Sequence, residues 1–424
     1  MPGEFANRQN ITALQLGQLR QLLAAILPRN AFYQEKFAGI DPAIASLEDF
    51  SRRFPFTTKA ELAADQRAHP PYGSNLTVPL EQYARFHQTS GTLSEPMRWL
   101  DTTSSWGWMV DNWKEVYRAA GVGPSDRVYF AFSFGPFIGF WLAFDAAQQM
   151  GSLCLPGGGL GSAGRLRAIC ENKATVLCCT PSYATRLAEV AREEKINLHG
   201  SAIRRIIVAG EPGGSIPATR QRLEQLWPGA RVFDHHGMTE TGPVSYECPA
   251  KPGLLHVIEP AILPEVIGGE LVLTTLGRTG SPVLRYRTGD FVRPVYFDSQ
   301  PCACGRFGLG LQGGIVGRTD EMVIVRGVNI YPTAVEEILR GFSEIAEYEV
   351  HVDNSASLVE LLLRIEPRSE CGDPEALLQR VQGAFQSALS LRVPVSLADA
   401  GSLPRYEMKA KRWKFRFEPK KKAS

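Results

Sequence analysis

The sequence predicts an α/β protein. A large N-terminal domain over residues 1–319 would combine largely parallel sheets with a β-rich subdomain, and residues 320–424 would form a small α+β C-terminal domain. Three observations carry this. Short apolar segments alternate with amphipathic ones between residues 174 and 234, the pattern of strands crossed by helices into a parallel sheet. From about Glu270 strand-like runs take over. The last stretch of about 105 residues has a ββαββα-like order.

The elements follow in sequence. Residues 13–40 place Leu14, Leu16, Leu19, Leu22 and Leu23 at helical spacing and predict a helix. In FPFTTKAEL (54–62), a turn leads into a helix, and Thr58 and Glu61 have the spacing of a capping box. Residues 128–144 carry no charge, a length approaching a membrane span. Gly135, Pro136 and Gly139 interrupt the run, so it predicts a buried strand, a turn and a buried helix. ATVLCCT (174–180), IRRIIVAG (203–210) and RVFD (231–234) are strand-like, and helical segments start at Pro181 and cover RQRLEQL (220–226). Ligands of such folds sit at the carboxyl ends of the strands. Gly210–Glu211–Pro212 and His235–His236–Gly237 fall at such ends. ELVLTT (270–275) and FVRPVYF (291–297) are strands of the β-rich part. In the tail, EMVIVRGVNIYP (321–332) is a strand and turn, and Thr333 with Glu336 has capping-box spacing before a helix whose apolar face is Val335, Ile338, Leu339 and Phe342. EYEVHVD (347–353) and SLVELLLRIE (357–366) are two strands, and 374–389 a helix.

Composition narrows the class. The chain is 44% hydrophobic and 21% charged with a net charge of +2, ordinary for a soluble enzyme and without a whole-molecule case for nucleic acid or membrane partners. The N-terminus lacks the charged flank and apolar run of a signal peptide, which predicts a cytoplasmic protein. The basic residues after Arg412 are expected to be a solvated tail.

Of eight cysteines, Cys154, Cys178 and Cys179 lie in apolar runs and are expected to be buried. Cys302 and Cys304 form a Cys-x-Cys in PCACGR, and Cys248 and His256 lie upstream in ECPAKPGLLHVIEP. Three thiols and one imidazole make a complete tetrahedral set for structural Zn²⁺. The alternative is reduced cysteines and a surface histidine.

Chemistry-bearing residues form an ordered series. QTSGTLSEP (88–96) packs the hydroxyls of Thr89, Ser90 and Thr92 around Gly91, a loop suited to phosphate oxygens. AGEP (209–212), HHGMTETG (235–242), YRTGD (286–290) and GRTDEMVIVRGVNIYP (317–332) follow, with LPRYEMKAKR (403–412) after them. Taken singly, each motif is equally a turn, a cap or an exposed charge. As an ordered set over residues 54–412 they resemble the adenylate-forming superfamily of acyl- and aryl-CoA ligases, closest to its phenylacetate–CoA ligase branch. The resemblance implies that ATP and Mg²⁺ activate a carboxylic acid as an acyl-adenylate, after which the thiol of CoA displaces AMP.

By the same resemblance, Thr89, Ser90, Gly91 and Thr92 hold the phosphates, Thr239 touches the α-phosphate and Glu240 holds Mg²⁺. Gly210, Glu211 and Pro212, with His235, His236 and Gly237, line the nucleotide site. Asp290 binds the ribose hydroxyls and Arg318 the ribose or phosphate. Lys409 bridges carboxylate and α-phosphate during adenylation. Asp320 is the hinge of a mobile C-terminal domain, and Arg326, Gly327 and Asn329 belong to its CoA-facing side. Phe132, Phe134, Gly135 and Gly237 match the acyl pocket, pointing to an aromatic or compact hydrophobic acid. Some members of the branch also carry a zinc site of the Cys248–His256–Cys302–Cys304 kind.

Three positions depart from the family pattern. Glu95 stands where a lysine is usual, Met408 replaces a glycine before Lys409, and His236 replaces a tyrosine. Two alternatives stay open: an acyl-adenylating enzyme that loads a carrier-protein thiol or an amine, and a zinc-bound scaffold without catalysis. The expected partners are the small molecules, with a carrier protein or a second copy of the chain as further candidates.

Overall fold

The structure is a computed structural model and describes residues 7–89, 96–319, 321–325, 328–353, 359–406 and 410–415. An eleven-stranded mixed sheet dominates it. One half is parallel: Leu153–Pro156, Arg127–Phe130, Val176–Cys179 and Arg205–Val208 lie side by side and reach Arg231–Met238. Val176–Cys179 is buried along its whole length, as a strand covered by helices on both faces must be. The other half is antiparallel and runs through Gly242–Cys248, Lys251–Val257, Gly308–Arg318, Tyr286–Phe297, Glu270–Thr275 and Ile262–Ile267.

Arg231–Met238 joins the halves. Its first four residues pair in parallel with Arg205–Val208, and its last four pair antiparallel with Gly242–Tyr246. His235–His236–Gly237 therefore lies inside a strand rather than beyond its end, because a second partner strand continues the ladder. The expected strand, turn and helix over residues 128–144 are present as Arg127–Phe130 and Ile138–Gln149. Among the described residues no helix is long and apolar enough to cross a membrane.

The first expected helix is two: Arg8–Ile26 and Ala31–Lys36. Pro28 cannot continue the first, and the Asn30 side chain accepts from the Tyr33 N–H to cap the second. With the helices Leu47–Arg53 and Lys59–Ala68 they wrap the β-rich half, burying Leu19, Leu22, Tyr33, Phe50 and Phe54 against Leu263 and Leu284.

The C-terminal region has its own four-stranded sheet, in the order Val395–Leu397, Glu360–Pro367, Ile345–Asp353, Trp413–Phe415. The helices Pro332–Arg340 and Pro374–Leu389 contribute Val335, Leu339, Leu377, Val381 and Phe385 to its core. The Thr58–Glu61 capping box is present, but the Thr333–Glu336 box is not. Pro332 occupies the first helical position, so Tyr331 is the N-cap, and the Thr333 hydroxyl donates instead to the Val316 carbonyl. Nor is the chain beyond Arg412 simply a solvated tail. Arg412 is buried against Glu347 at 2.7 Å, and Trp413–Phe415 adds a parallel strand to Ile345–Asp353.

Candidate active site

A cleft of ≈ 410 Å³ opens where the parallel and antiparallel halves meet. It gathers Thr89, Gly210, Glu211, Pro212, His235, His236, Gly237, Thr239, Glu240, Asp290 and Arg318 from five separate stretches of chain. Ser90, Gly91, Thr92, Asp320, Arg326, Gly327 and Lys409 lie outside the described residues. Asn329 is described, exposed on the hairpin Val323–Val325/Val328–Ile330, and does not line the cleft. Phe132, Phe134 and Gly135 also stand outside its lining. Phe132 stacks on Phe140 at 4.0 Å and Phe134 packs on Trp141 at 4.8 Å. Their loop touches the strand Tyr83–Gln88, where Gln88 N–H donates to the Pro136 carbonyl at 2.8 Å.

Part of the cleft wall is built by strand register. Asp290 and Arg318 face each other across adjacent antiparallel strands. Arg318 Nη1 donates to Asp290 Oδ1 at 2.9 Å, and His236 Nε2 lies 3.0 Å from Oδ2. Gly289 has φ +77°, and a Cβ there would stand 3.1 Å from Arg318 Nη2, so glycine both permits the backbone turn and lets the guanidinium pass. Each Asp290 oxygen keeps a second lone pair, so the carboxylate can still accept two hydroxyls from a ribose.

Deeper in, His235 is buried, its Nδ1 3.0 Å from the Ser245 carbonyl and its ring edge-on to Trp113 at 4.2 Å. Burial pushes this imidazole down to about 4, so it is neutral at pH 7 and acts as a wall. Asp234 accepts from Ser215 Oγ at 2.5 Å, and burial, with Glu247 nearby, pushes its carboxyl up to about 6. Sequence reasoning missed Asp234 and Ser215, although Asp234 directly precedes the histidine motif.

Thr239, Glu240, Thr89 and Lys59 also line the cleft. The Thr239 carbonyl is fixed by Arg278 Nη1 at 2.7 Å, and Arg278 is itself held by Asp101 through two 2.7 Å bonds with both side chains fully buried. Glu240 is nearly buried, and its carboxylate meets only the Tyr286 hydroxyl at 3.4 Å and Lys59 Nζ at 3.7 Å among the described residues. Burial, with Glu240 beside it, holds the Tyr286 phenol well above its ordinary range. Glu240 thus keeps lone pairs facing the cleft, a fit for a hard divalent cation such as Mg²⁺.

Glu211 does more than line the wall. One oxygen accepts from the Ser182 N–H at 2.7 Å, at the start of the helix Pro181–Glu193, and the other from the Ala410 N–H at 2.9 Å. It therefore ties the segment next to Lys409 to the cleft. Arg412 Nη2 adds a 3.3 Å contact to Ser182 Oγ, and Arg368 and Arg405 face Glu189 at 3.6 Å and 3.9 Å.

Away from the cleft, Cys248, His256, Cys302 and Cys304 converge, with their ligand atoms all within 4.8 Å of one another. Cys248 and Cys302 sulfurs are 3.7 Å apart, and Cys304 Sγ lies 3.2 Å from His256 Nε2. Burial pushes His256 down to about 4, leaving the neutral imidazole a metal ligand requires.

Comparison with known proteins places this arrangement. Residues 39–266 match the AMP-binding enzyme family, and residues 327–414 match the AMP-binding enzyme C-terminal domain. The chain belongs to the AMP-binding enzyme family. Phenylacetate-coenzyme A ligase of Thermus thermophilus is 31% identical, over 95% of this chain and 96% of that protein. The protein of the same name from Escherichia coli K12 is 29% identical, over 96% and 95%. Within the AMP-binding enzymes, this chain is an AMP-forming acid–CoA ligase. 2-Hydroxyisobutyryl-CoA ligase in its postadenylation state, in complex with 2-HIB-AMP, matches at a TM-score of 0.91 and 29% identity over 96% of this chain and 90% of that one. The same ligase with 2-HIB-AMP and CoA in its thioesterification state matches at 0.71. The overall arrangement here is thus more similar to the postadenylation structure of that ligase than to its thioesterification structure.

Proposed function

We propose that this AMP-binding enzyme uses ATP and Mg²⁺ to convert an aromatic or compact hydrophobic carboxylic acid into its acyl-adenylate, then transfers the acyl group to the thiol of CoA. The observation that carries this reading is the Glu211–Ala410 hydrogen bond, which sets the residue after Lys409 against the cleft. A carboxylate and an α-phosphate repel, so a cation between them is the first electrostatic need of the reaction. Lys409 would supply it. The carboxylate oxygen attacks the α-phosphorus, the bond to the bridging oxygen breaks, and pyrophosphate leaves with the electron pair.

Asp290 would accept the ribose hydroxyls with Arg318 and His236 holding it, and Asp234 would accept from the amino group of adenine. Thr239 would contact the α-phosphate and Glu240 the Mg²⁺, which when bound offsets charge on the phosphates. Residues 320–424 would then rotate about Asp320, withdrawing Lys409 and bringing Arg326, Gly327 and Asn329 toward CoA. The two arrangements of 2-hydroxyisobutyryl-CoA ligase support such a rotation. The phenylacetate relatives support an aromatic acid.

We also infer that Cys248, His256, Cys302 and Cys304 hold a structural Zn²⁺. Tetrahedral zinc–thiolate bonds of about 2.3 Å place two sulfurs about 3.8 Å apart, and Cys248 and Cys302 stand at 3.7 Å. Metal analysis of the purified protein is expected to return about one zinc per chain; under about half an equivalent rejects the site.

The test of function is acid-dependent pyrophosphate release across a panel running from phenylacetate and benzoates to 2-hydroxyisobutyrate, with and without CoA. Lys409→Ala is expected to slow release on the order of 10²–10³-fold. No acid dependence rejects an aromatic or compact hydrophobic acid as the substrate. Release without thioester rejects CoA as acceptor and points to a carrier thiol or an amine.

A further inference from the structure

Glu95 occupies the position where the resembled family carries the phosphate-loop lysine, so the leaving pyrophosphate lacks that cation. Two cleft-lining side chains among the described residues carry a permanent positive charge, Lys59 and Arg318. Arg318 is engaged by Asp290 at the ribose end. Lys59 lines the same cleft, as does Thr89, and its Nζ is 3.7 Å from Glu240 Oε1.

Its placement is tightly determined. Thr57, wholly buried, donates its N–H to the Arg285 carbonyl at 3.0 Å, accepts from Arg287 N–H at 2.9 Å and donates its hydroxyl to the Leu284 carbonyl at 2.7 Å. Thr58 then caps the helix Lys59–Ala68 through the reciprocal box with Glu61. Lys59 is thus the first helical residue, two positions after Thr57, whose backbone bridges to Tyr286, the residue that touches Glu240. A lysine in the first turn opposes the helix dipole, which favours anions there. This local disagreement is of the kind found where a residue serves a ligand rather than the helix. The side chain is 46% exposed, and so open a lysine–glutamate contact is weak enough to exchange for phosphate oxygens.

We propose that Lys59 binds the β- and γ-phosphates of ATP and stabilises the departing pyrophosphate, supplying the cation absent at Glu95. This rests on the adenylation reading. As the bond between the α-phosphorus and the bridging oxygen breaks, negative charge gathers on the pyrophosphate, and the ammonium meets it there. The dipole of the helix that Lys59 begins adds to the same field.

The test compares wild type with Lys59→Ala, Lys59→Gln and Lys59→Arg. ATP (with Mg²⁺) and AMP binding are measured by calorimetry, acid-dependent ATP–pyrophosphate exchange gives KM and kcat, and CoA attack on preformed acyl-adenylate is followed in single turnover. Removing the charge is expected to weaken ATP binding at least tenfold, leave AMP binding unchanged, and slow exchange about 10²-fold, with Lys59→Arg recovering most of both. Thiolysis should not change. Equal losses for ATP and AMP, or wild-type ATP behaviour in both neutral variants, overturn the proposal. Absence of acid-dependent exchange in the wild type defeats the adenylation reading instead, and the ATP-versus-AMP comparison still decides Lys59.

Discussion

Two clusters in the cleft are built differently. In the first, Asp290 and Arg318 are opposite residues of neighbouring strands, and His236, Asp290 and Arg318 form one chain of contacts at 3.0 Å and 2.9 Å. In the second, Lys59, Thr89, Thr239 and Glu240 come from separate stretches, and Glu240 and Lys59 meet only loosely at 3.7 Å. Under the proposed function, the first would be the ribose end that holds and the second the phosphate end that reacts. A fully paired site needs little rearrangement to accept a sugar, so it serves affinity. A site with unspent charge can respond as charge develops on a leaving group, so it serves rate.

Three substitutions press on this contrast. The largest effect is expected from Asp101→Ala, which strips the partner from fully buried Arg278 and frees the Thr239 carbonyl. Breaking a buried pair on one side costs about 3–5 kcal/mol, so denaturant unfolding should show a loss of that size. A loss under about 1 kcal/mol would mean that Thr239 is not held through Arg278. Next comes Asp290→Ala, which should cost on the order of 10² in kcat/KM for ATP, mostly through KM. A fall confined to kcat would reverse the assignment of holding and reacting ends. The smallest is Glu211→Ala, which releases Ala410 from the cleft wall. Stopped-flow should show adenylation slowed about tenfold, roughly one charge-assisted hydrogen bond, with thiolysis unaffected. Equal slowing of both half-reactions would make Glu211 a general structural residue.

The same contrast explains what the sequence made legible. The Asp290–Arg318 pair was legible because YRTGD and GRTDE each carry one partner in a recognisable string. The parallel half of the sheet was visible because its buried strands are short continuous apolar runs. Lys59 was passed over because FPFTTKAEL also makes a sound helix start, and the capping box accounted for the string without a ligand. Asp101 and Arg278 lie 177 residues apart and carry no joint local signal. Thr333 misled because its spacing to Glu336 fits a cap, while Pro332 had already fixed where the helix begins. Spacing alone did find the Cys248–His256–Cys302–Cys304 set, since ligand chemistry restricts residue types more tightly than packing does.

The most direct test of the account is a single-turnover reaction of enzyme, Mg²⁺, ATP and the preferred acid of the panel, quenched and resolved by mass. Acyl-AMP and pyrophosphate should form in equal amounts only when acid is present, and addition of CoA should convert the acyl-AMP to thioester and AMP. Formation of ADP and phosphate, or acyl-AMP that CoA leaves untouched, would contradict it.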